Sequence, residues 1–169
     1  MSAKYSRTTA DYLSWDQNLN LIRKLFNDGE YRISLLVAIG SFWGLRISDI
    51  LKLKWEDILD KNEIVMVENK THKTREIKIN PQLRQHISEC YYQLNPKSTN
   101  QAIFLSQKNS IYSVQRINVI FKTIRSKYNL KVSNYSTHSM RKTFGREVFT
   151  KSGTNAEIAL VKLSQLFNH

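Results

Sequence analysis

A single cysteine, Cys90, is all that this 169-residue chain contains. An intramolecular disulfide is therefore impossible, no zinc site can rest on cysteines, and a reducing cytoplasm suits the chain. A domain of this length buries roughly two-thirds of its unfolded surface, so it needs neither kind of staple. Glycine is also scarce, at five residues, and no glycine-rich phosphate loop is present, which argues against nucleotide hydrolysis. The four histidines lack a metal-ligand spacing such as His-x-x-x-His, and His72 and His86 lack companions in the sequence. No metal or other cofactor is expected. Residues 1–9 are polar and basic, without the apolar stretch of a signal peptide. The longest apolar stretch, Ile33 to Leu45, is broken by Ser34, Gly40, Ser41 and Gly44, and is shorter than the roughly 20 residues a bilayer requires. It reads as a buried core helix. The protein is expected to be soluble and cytoplasmic, with no membrane partner.

The most telling absence concerns negative charge. Between Glu89 and Glu147 there is no acidic residue, while Lys97, Lys108, Arg116, Lys122, Arg125, Lys127, Lys131, Arg141, Lys142 and Arg146 all fall in that interval. These residues carry most of the formal net charge of +12. A polyanion is the natural partner of such a segment, and DNA or RNA the expected one. A merely solvated basic face is the bland alternative.

What is present reads as mostly helix with one small sheet. Residues 1–13 read as a linker or arm, and residues 14–169 as one domain. Ser14 begins a helix with Gln17 in capping-box position, Leu19, Ile22, Leu25 and Phe26 recur along it, and Asn27-Asp28-Gly29 stops it. A second helix runs from Tyr31 to Trp43, apolar nearly all round and so central. Gly44 ends it, and Arg46 opens a shorter helix through Leu53. The period then changes to two, predicting strands over 63–68 and 75–79 joined by a polar turn. Pro81 starts a further helix, and residues 102–105 add a strand or extended segment. A basic helix over 113–128 turns Val114, Ile117, Ile120, Phe121 and Ile124 inward. Two more follow, over 138–151 and 155–167, the last opening with the capping box Thr154-Asn155-Ala156-Glu157.

Two segments far apart in the chain suggest one site. Gly44-Leu45-Arg46-Ile47-Ser48-Asp49 and Thr137-His138-Ser139-Met140-Arg141 each set an arginine at or near a helix start. A guanidinium fork grips two phosphate oxygens at once, which lysine cannot do. Arg46 follows a buried helix, so its charge must be matched. The structural reading is an ion pair with Asp49, which could at the same time leave the other guanidinium edge for a phosphate. His138 and Arg141 share one helix face, and free N–H groups at a helix start favour an anion. Lys70 lies in the turn Asn69-Lys70-Thr71-His72-Lys73-Thr74, where Lys73 is its rival and the sequence scarcely separates them. His169 ends the chain behind an apolar helix.

Together these residues resemble the tyrosine recombinase, or phage integrase, family, in the family's order and over about residues 14–169. The stretch Gly44 to Trp55 is similar to the first arginine box, and Lys70 with Arg75 beyond it to the hairpin lysine. His138-Ser139-Met140-Arg141-Lys142-Thr143-Phe144 resembles the His-x-x-Arg box. Leu163 to His169 resembles the box ending in the last active-site histidine, with Phe167-Asn168 where many members have Leu-Gly.

The resemblance implies a mainly α fold with a small antiparallel β-sheet. It further implies metal-free cleavage and rejoining of double-stranded DNA through a 3′-phosphotyrosyl intermediate. In that scheme Arg46 and Arg141 hold the non-bridging oxygens, and Lys70 protonates the leaving 5′-oxygen. His138 helps activate the tyrosine, and His169 binds the phosphate. The nucleophile belongs a short way past His169, whereas all eight tyrosines of this chain precede His138. A recombinase fragment that binds DNA but cannot cleave it in cis is therefore expected, monomeric alone and tetrameric on DNA when full length. The alternatives are a non-catalytic DNA-binding regulator retaining the fold and, further off, an RNA-binding helical domain.

Overall fold

A computed structural model describes residues 9–167, with the side chains of Thr154 and Ala156 left aside. The first helix, α1 (Trp15–Asn27), starts where Ser14 Oγ accepts the Gln17 N–H and Gln17 Oε1 accepts the Ser14 N–H. It buries Leu21, Ile22 and Leu25. The second, α2 (Tyr31–Trp43), is the hub: Leu35, Leu36, Val37 and Ile39 are fully buried, and α1, α5 (Pro81–Leu94) and α7 (Thr137–Ser152) all pack against it. A helix apolar on every side is stable only when so surrounded.

Two glycines on α2 set how closely α7 approaches. A Cβ on Gly40 would run into the Met140 side chain, and one on Gly44 into the Phe144 ring. Gly44 also closes α2 with φ +61°, a left-handed conformation that glycine adopts without steric cost. Met140 and Phe144 flank Arg141 on α7, so these contacts carry Arg141 to the end of α2, beside Arg46.

The third helix, α3, is a single turn, Ile47–Ile50, not a helix reaching Leu53. The chain leaves it through a turn at residues 51–52, after which the Leu53 carbonyl accepts the Ile103 N–H (3.1 Å) and Lys54 bridges to Ala102. A further short helix, α4 (Trp55–Ile58), was not expected; Asp57 Oδ2 caps it by accepting the Lys54 N–H at 2.8 Å. Strands β1 (Glu63–Val67) and β2 (Thr74–Lys78) pair antiparallel, Glu63 opposite Lys78 and Val67 opposite Thr74. β1 thus ends one residue before the expected 68, and β2 lies one residue earlier than the expected 75–79; the Glu68 N–H still donates to the Lys73 carbonyl at 3.0 Å and the Ile79 N–H to the Asn62 carbonyl at 2.8 Å. Residues 102–105 form no strand; the Lys54–Ala102 and Leu105–Ile111 bridges are isolated, and Phe104 is buried between them.

Ser113 caps α6 (Val114–Lys127), whose Ile117, Phe121 and Ile124 are buried, while Val114 and Ile120 are half-buried against the core. A 3-10 turn, Gly153–Asn155, precedes α8 (Ala156–Phe167), so the last helix begins one residue later than expected. The Thr154 cap proposed for it lies outside the described side chains. Among the described residues no helix is long and apolar enough to cross a membrane. The architecture is mainly helical with one two-stranded antiparallel sheet, as the sequence implied.

Candidate active site

The C-terminal end of α2 organises the site. Its last carbonyls are the negative pole of a helix dipole, and such a pole draws cations. Arg141 Nη1 donates to the Gly44 carbonyl at 2.8 Å, and Arg75 Nη2 to the Trp43 carbonyl at 3.2 Å. Arg46, the residue capping α3, sends Nη2 to the Phe167 carbonyl at a long 3.4 Å. The Phe167 ring lies over Arg141, with its centroid 4.3 Å from the guanidinium carbon. Arg46 and Arg141 therefore meet at one place.

A buried carboxylate joins this cluster. Glu68 Oε2 accepts from Arg46 Nη1 at 3.0 Å, and Glu68 Oε1 from Arg75 Nη1 at 3.1 Å. The Glu68 side chain is only 1% exposed. Burial pushes its pKa up, but the Thr71 hydroxyl and the Arg75 and Arg46 guanidiniums outweigh that and hold it below the usual value. Glu68, and not Asp49, is thus the ionic partner of Arg46. Asp49 faces elsewhere: its Oδ1 accepts the Asn69 N–H at 2.9 Å, and its buried Oδ2 has no hydrogen-bond partner among the described residues. The sequence reading missed Glu68 and Arg75 as site residues. The signal was available, since side chains alternate along a strand. Glu68 continues the inward series Ile64, Met66, and Arg75 precedes inward Ile77. Opposite charges ending two apolar faces mark a buried pair.

Arg141 has a pKa pushed down to about 10, first by burial and then by the neighbouring Arg46 and Arg75 charges, with Glu68 and Asp49 opposing. At neutral pH it remains a cation, held where its charge is poorly solvated. An anion placed between Arg46 and Arg141 relieves that cost.

Other predicted residues are more dispersed. His138 is exposed in the first turn of α7 and shares with Arg141, Lys142, Arg146, Phe167 and Tyr12 a cleft of about 660 Å³. Lys70 is exposed in the β1–β2 turn and does not line that cleft. Lys73 lines a separate cavity of about 380 Å³ with Glu68, Arg75 and Lys162. His169 lies outside the described residues. Among those residues no group of three or more His, Cys, Asp or Glu side chains is arranged to hold a metal ion.

Comparison with known proteins gives the family and the fold. A profile of the phage integrase family matches residues 13–163, and the chain belongs to that family. The "Probable integrase/recombinase YoeC" of Bacillus subtilis (strain 168) is 32% identical over 136 residues, which is 79% of this chain and 69% of that protein. The crystal structure of XerA recombinase superposes with a TM-score of 0.70 at 21% identity, covering 96% of this chain and 61% of XerA. That of XerH site-specific recombinase, bound to a palindromic difH substrate in a post-cleavage complex, has a TM-score of 0.70 at 18% identity, covering 96% of this chain and 47% of XerH. At those identities the two structures establish the shared fold. The chain spans less than two-thirds of each of these two relatives.

Proposed function

We propose that residues 14–169 are the catalytic domain of a site-specific DNA recombinase, with residues 1–13 as its linker or arm. The observation that carries this reading is the meeting of Arg46 and Arg141 at the end of α2, beside a cleft that His138 also lines. Two guanidinium forks at one spot can share a single phosphate and stabilise the charge of a pentavalent transition state; losing one such donor costs on the order of 10²–10³ in rate.

In the reaction proposed, a tyrosine oxygen attacks the scissile phosphorus and gives its proton to His138. The 5′-oxygen leaves with a proton from Lys70, the general acid. A 3′-phosphotyrosyl link then retains the bond energy, so rejoining by a 5′-hydroxyl needs no ATP. His169 is assigned to the same phosphate by resemblance alone. The nucleophile, by the same resemblance, follows the His169 position and is none of the eight tyrosines here. Tyr135 is buried, and the Tyr128 hydroxyl donates to Asp28 at 2.6 Å. Tyr12 lines the cleft at its N-terminal side, ahead of every box of the motif. The partner is double-stranded DNA in the cytoplasm, bound by a tetramer when the protein is full length, whereas this chain alone is a monomer. Light scattering checks the monomer.

The deciding assay uses the full-length gene product and a nicked suicide substrate carrying the cognate site. A covalent protein–DNA adduct is expected. Tight binding without an adduct on a verified site would instead favour the regulator that keeps the fold.

A further inference from the structure

We propose that Glu68 is a positioning residue that locks Arg46, Arg75 and the Lys70 turn into one unit; this rests on the recombinase reading above. Each Glu68 carboxylate oxygen holds a different arginine, and Thr71 Oγ1 also donates to Oε2 at 2.9 Å. Glu68 and Thr71 thereby close a ring of chain around Lys70. From the other side Asp49 Oδ1 accepts the Asn69 N–H at 2.9 Å, and Lys52 Nζ donates to Asn69 Oδ1. The turn bearing Lys70 is therefore tied on both sides to the helix that Arg46 caps.

Stability alone does not account for this carboxylate. Burying an ion pair costs its members their hydration, and apolar residues of similar size commonly serve a core as well or better. What the arrangement adds is direction. Glu68 occupies one edge of the Arg46 guanidinium, and a long 3.4 Å contact to the Phe167 carbonyl engages Nη2 on the other. A phosphate can displace so weak a contact while Glu68 keeps the fork aimed. Like charges repel, so Glu68 must also weaken anion binding. It therefore acts in opposite directions on binding and on chemistry, and that opposition is the signature to look for.

The test compares wild type, Glu68→Gln and Glu68→Asp in the adduct assay, with DNA affinity measured alongside. Glu68→Gln removes the charge at equal size, and Glu68→Asp keeps the charge but cannot reach both arginines. Positioning predicts a cleavage rate lower by about a hundredfold in both, the scale of a misplacement of about 1 Å. DNA affinity should be unchanged or tighter in Glu68→Gln. Cleavage within twofold of wild type in either variant, or rate and affinity falling together, overturns the proposal.

A second arm requires no cleavage. In the 169-residue chain, inorganic phosphate is titrated while the Nε–H resonances of Arg46 and Arg75 are followed by NMR. Both should shift together in wild type, and only Arg46 in Glu68→Gln. If wild type forms no adduct, the recombinase reading fails by itself and this arm still decides the coupling. An Arg75 response absent from wild type, or unaltered in the variant, overturns it.

Discussion

The ring of Phe144 fills the space that a Cβ on Gly44 would occupy. That contact, on a residue with φ +61°, lets α7 close onto α2 and sets Arg141 against the Gly44 carbonyl. Gly44→Ala should therefore combine a left-handed backbone penalty of about 1–2 kcal/mol with displacement of Phe144. A drop in Tm of at least about 4 °C is expected by calorimetry, given about 2–4 °C per kcal/mol at this size. An unchanged Tm would mean that the close approach of the two helices is not needed.

Lysine at either arginine keeps the charge but loses the fork. Arg46→Lys and Arg141→Lys should each slow adduct formation by about 10²–10³. DNA affinity should change by less than about tenfold, since one phosphate contact among many is altered. The two effects should not add in the double variant, because both forks serve one anion. Full additivity would place them on different phosphates.

Lys70 and Lys73 compete for the role of general acid. Lys70→Ala should slow cleavage of an ordinary phosphodiester by about 10²–10³, and a substrate with sulfur at the 5′-bridging position should restore the rate, because a thiolate leaves without a proton. Lys73→Ala should show neither behaviour. Reversal of the two results would move the assignment to Lys73, which lines a cavity with Glu68 and Arg75.

Stability should fall on mild acidification because of His86. Its Nε2 lies 3.0 Å from Ser34 Oγ, whose hydrogen is already given to the Ile22 carbonyl at 2.8 Å, so the neutral ring donates and Ser34 accepts. Burial holds the pKa below its ordinary 6.5. The unfolded chain thus binds a proton that the folded one resists. The stabilisation is complete above about 6.5 and is lost as pH falls toward the lower folded value, with a slope of at most about 1.4 kcal/mol per pH unit. His86→Gln should flatten the dependence of Tm on pH between about 7.5 and about 5.5.

DNA binding should depend steeply on salt. The slope of log K against log salt should be about −0.9 per phosphate neutralised on a duplex. Arg146→Gln, in the cleft beside Arg141, should lower its magnitude by about one unit, read by fluorescence anisotropy across a salt series.

Local features of the molecule could be read directly. Ser14 with Gln17 caps α1, and Tyr31–Trp43 is the central helix to the residue, because capping pairs and apolar periodicity act within a turn or two of chain. Arg46, His138 and Arg141 stood out for the same reason, each within a short motif. The sequence misjudged α3, which gives way to a turn at residues 51–52 before the Leu53 carbonyl accepts the distant Ile103 N–H. It assigned Arg46 to Asp49, one turn away, because adjacency in a helix is visible in sequence and a hairpin folding back is not. His86 seemed alone for the same reason, since its partner Ser34 lies on α2, 52 residues away.

The amino-acid order by itself determined the family, the helical character and the basic half of the chain. Those properties are sums over neighbouring residues, and neighbours in sequence are always near in space. Only the tertiary structure decided that Glu68 holds Arg46 and Arg75, that two glycines admit α7, and that Phe167 covers Arg141. Apart from the Glu68–Arg75 pair within the hairpin, each of these joins groups more than about twenty residues apart. Their distances depend on how α2 is packed from all sides, and no local rule contains that packing.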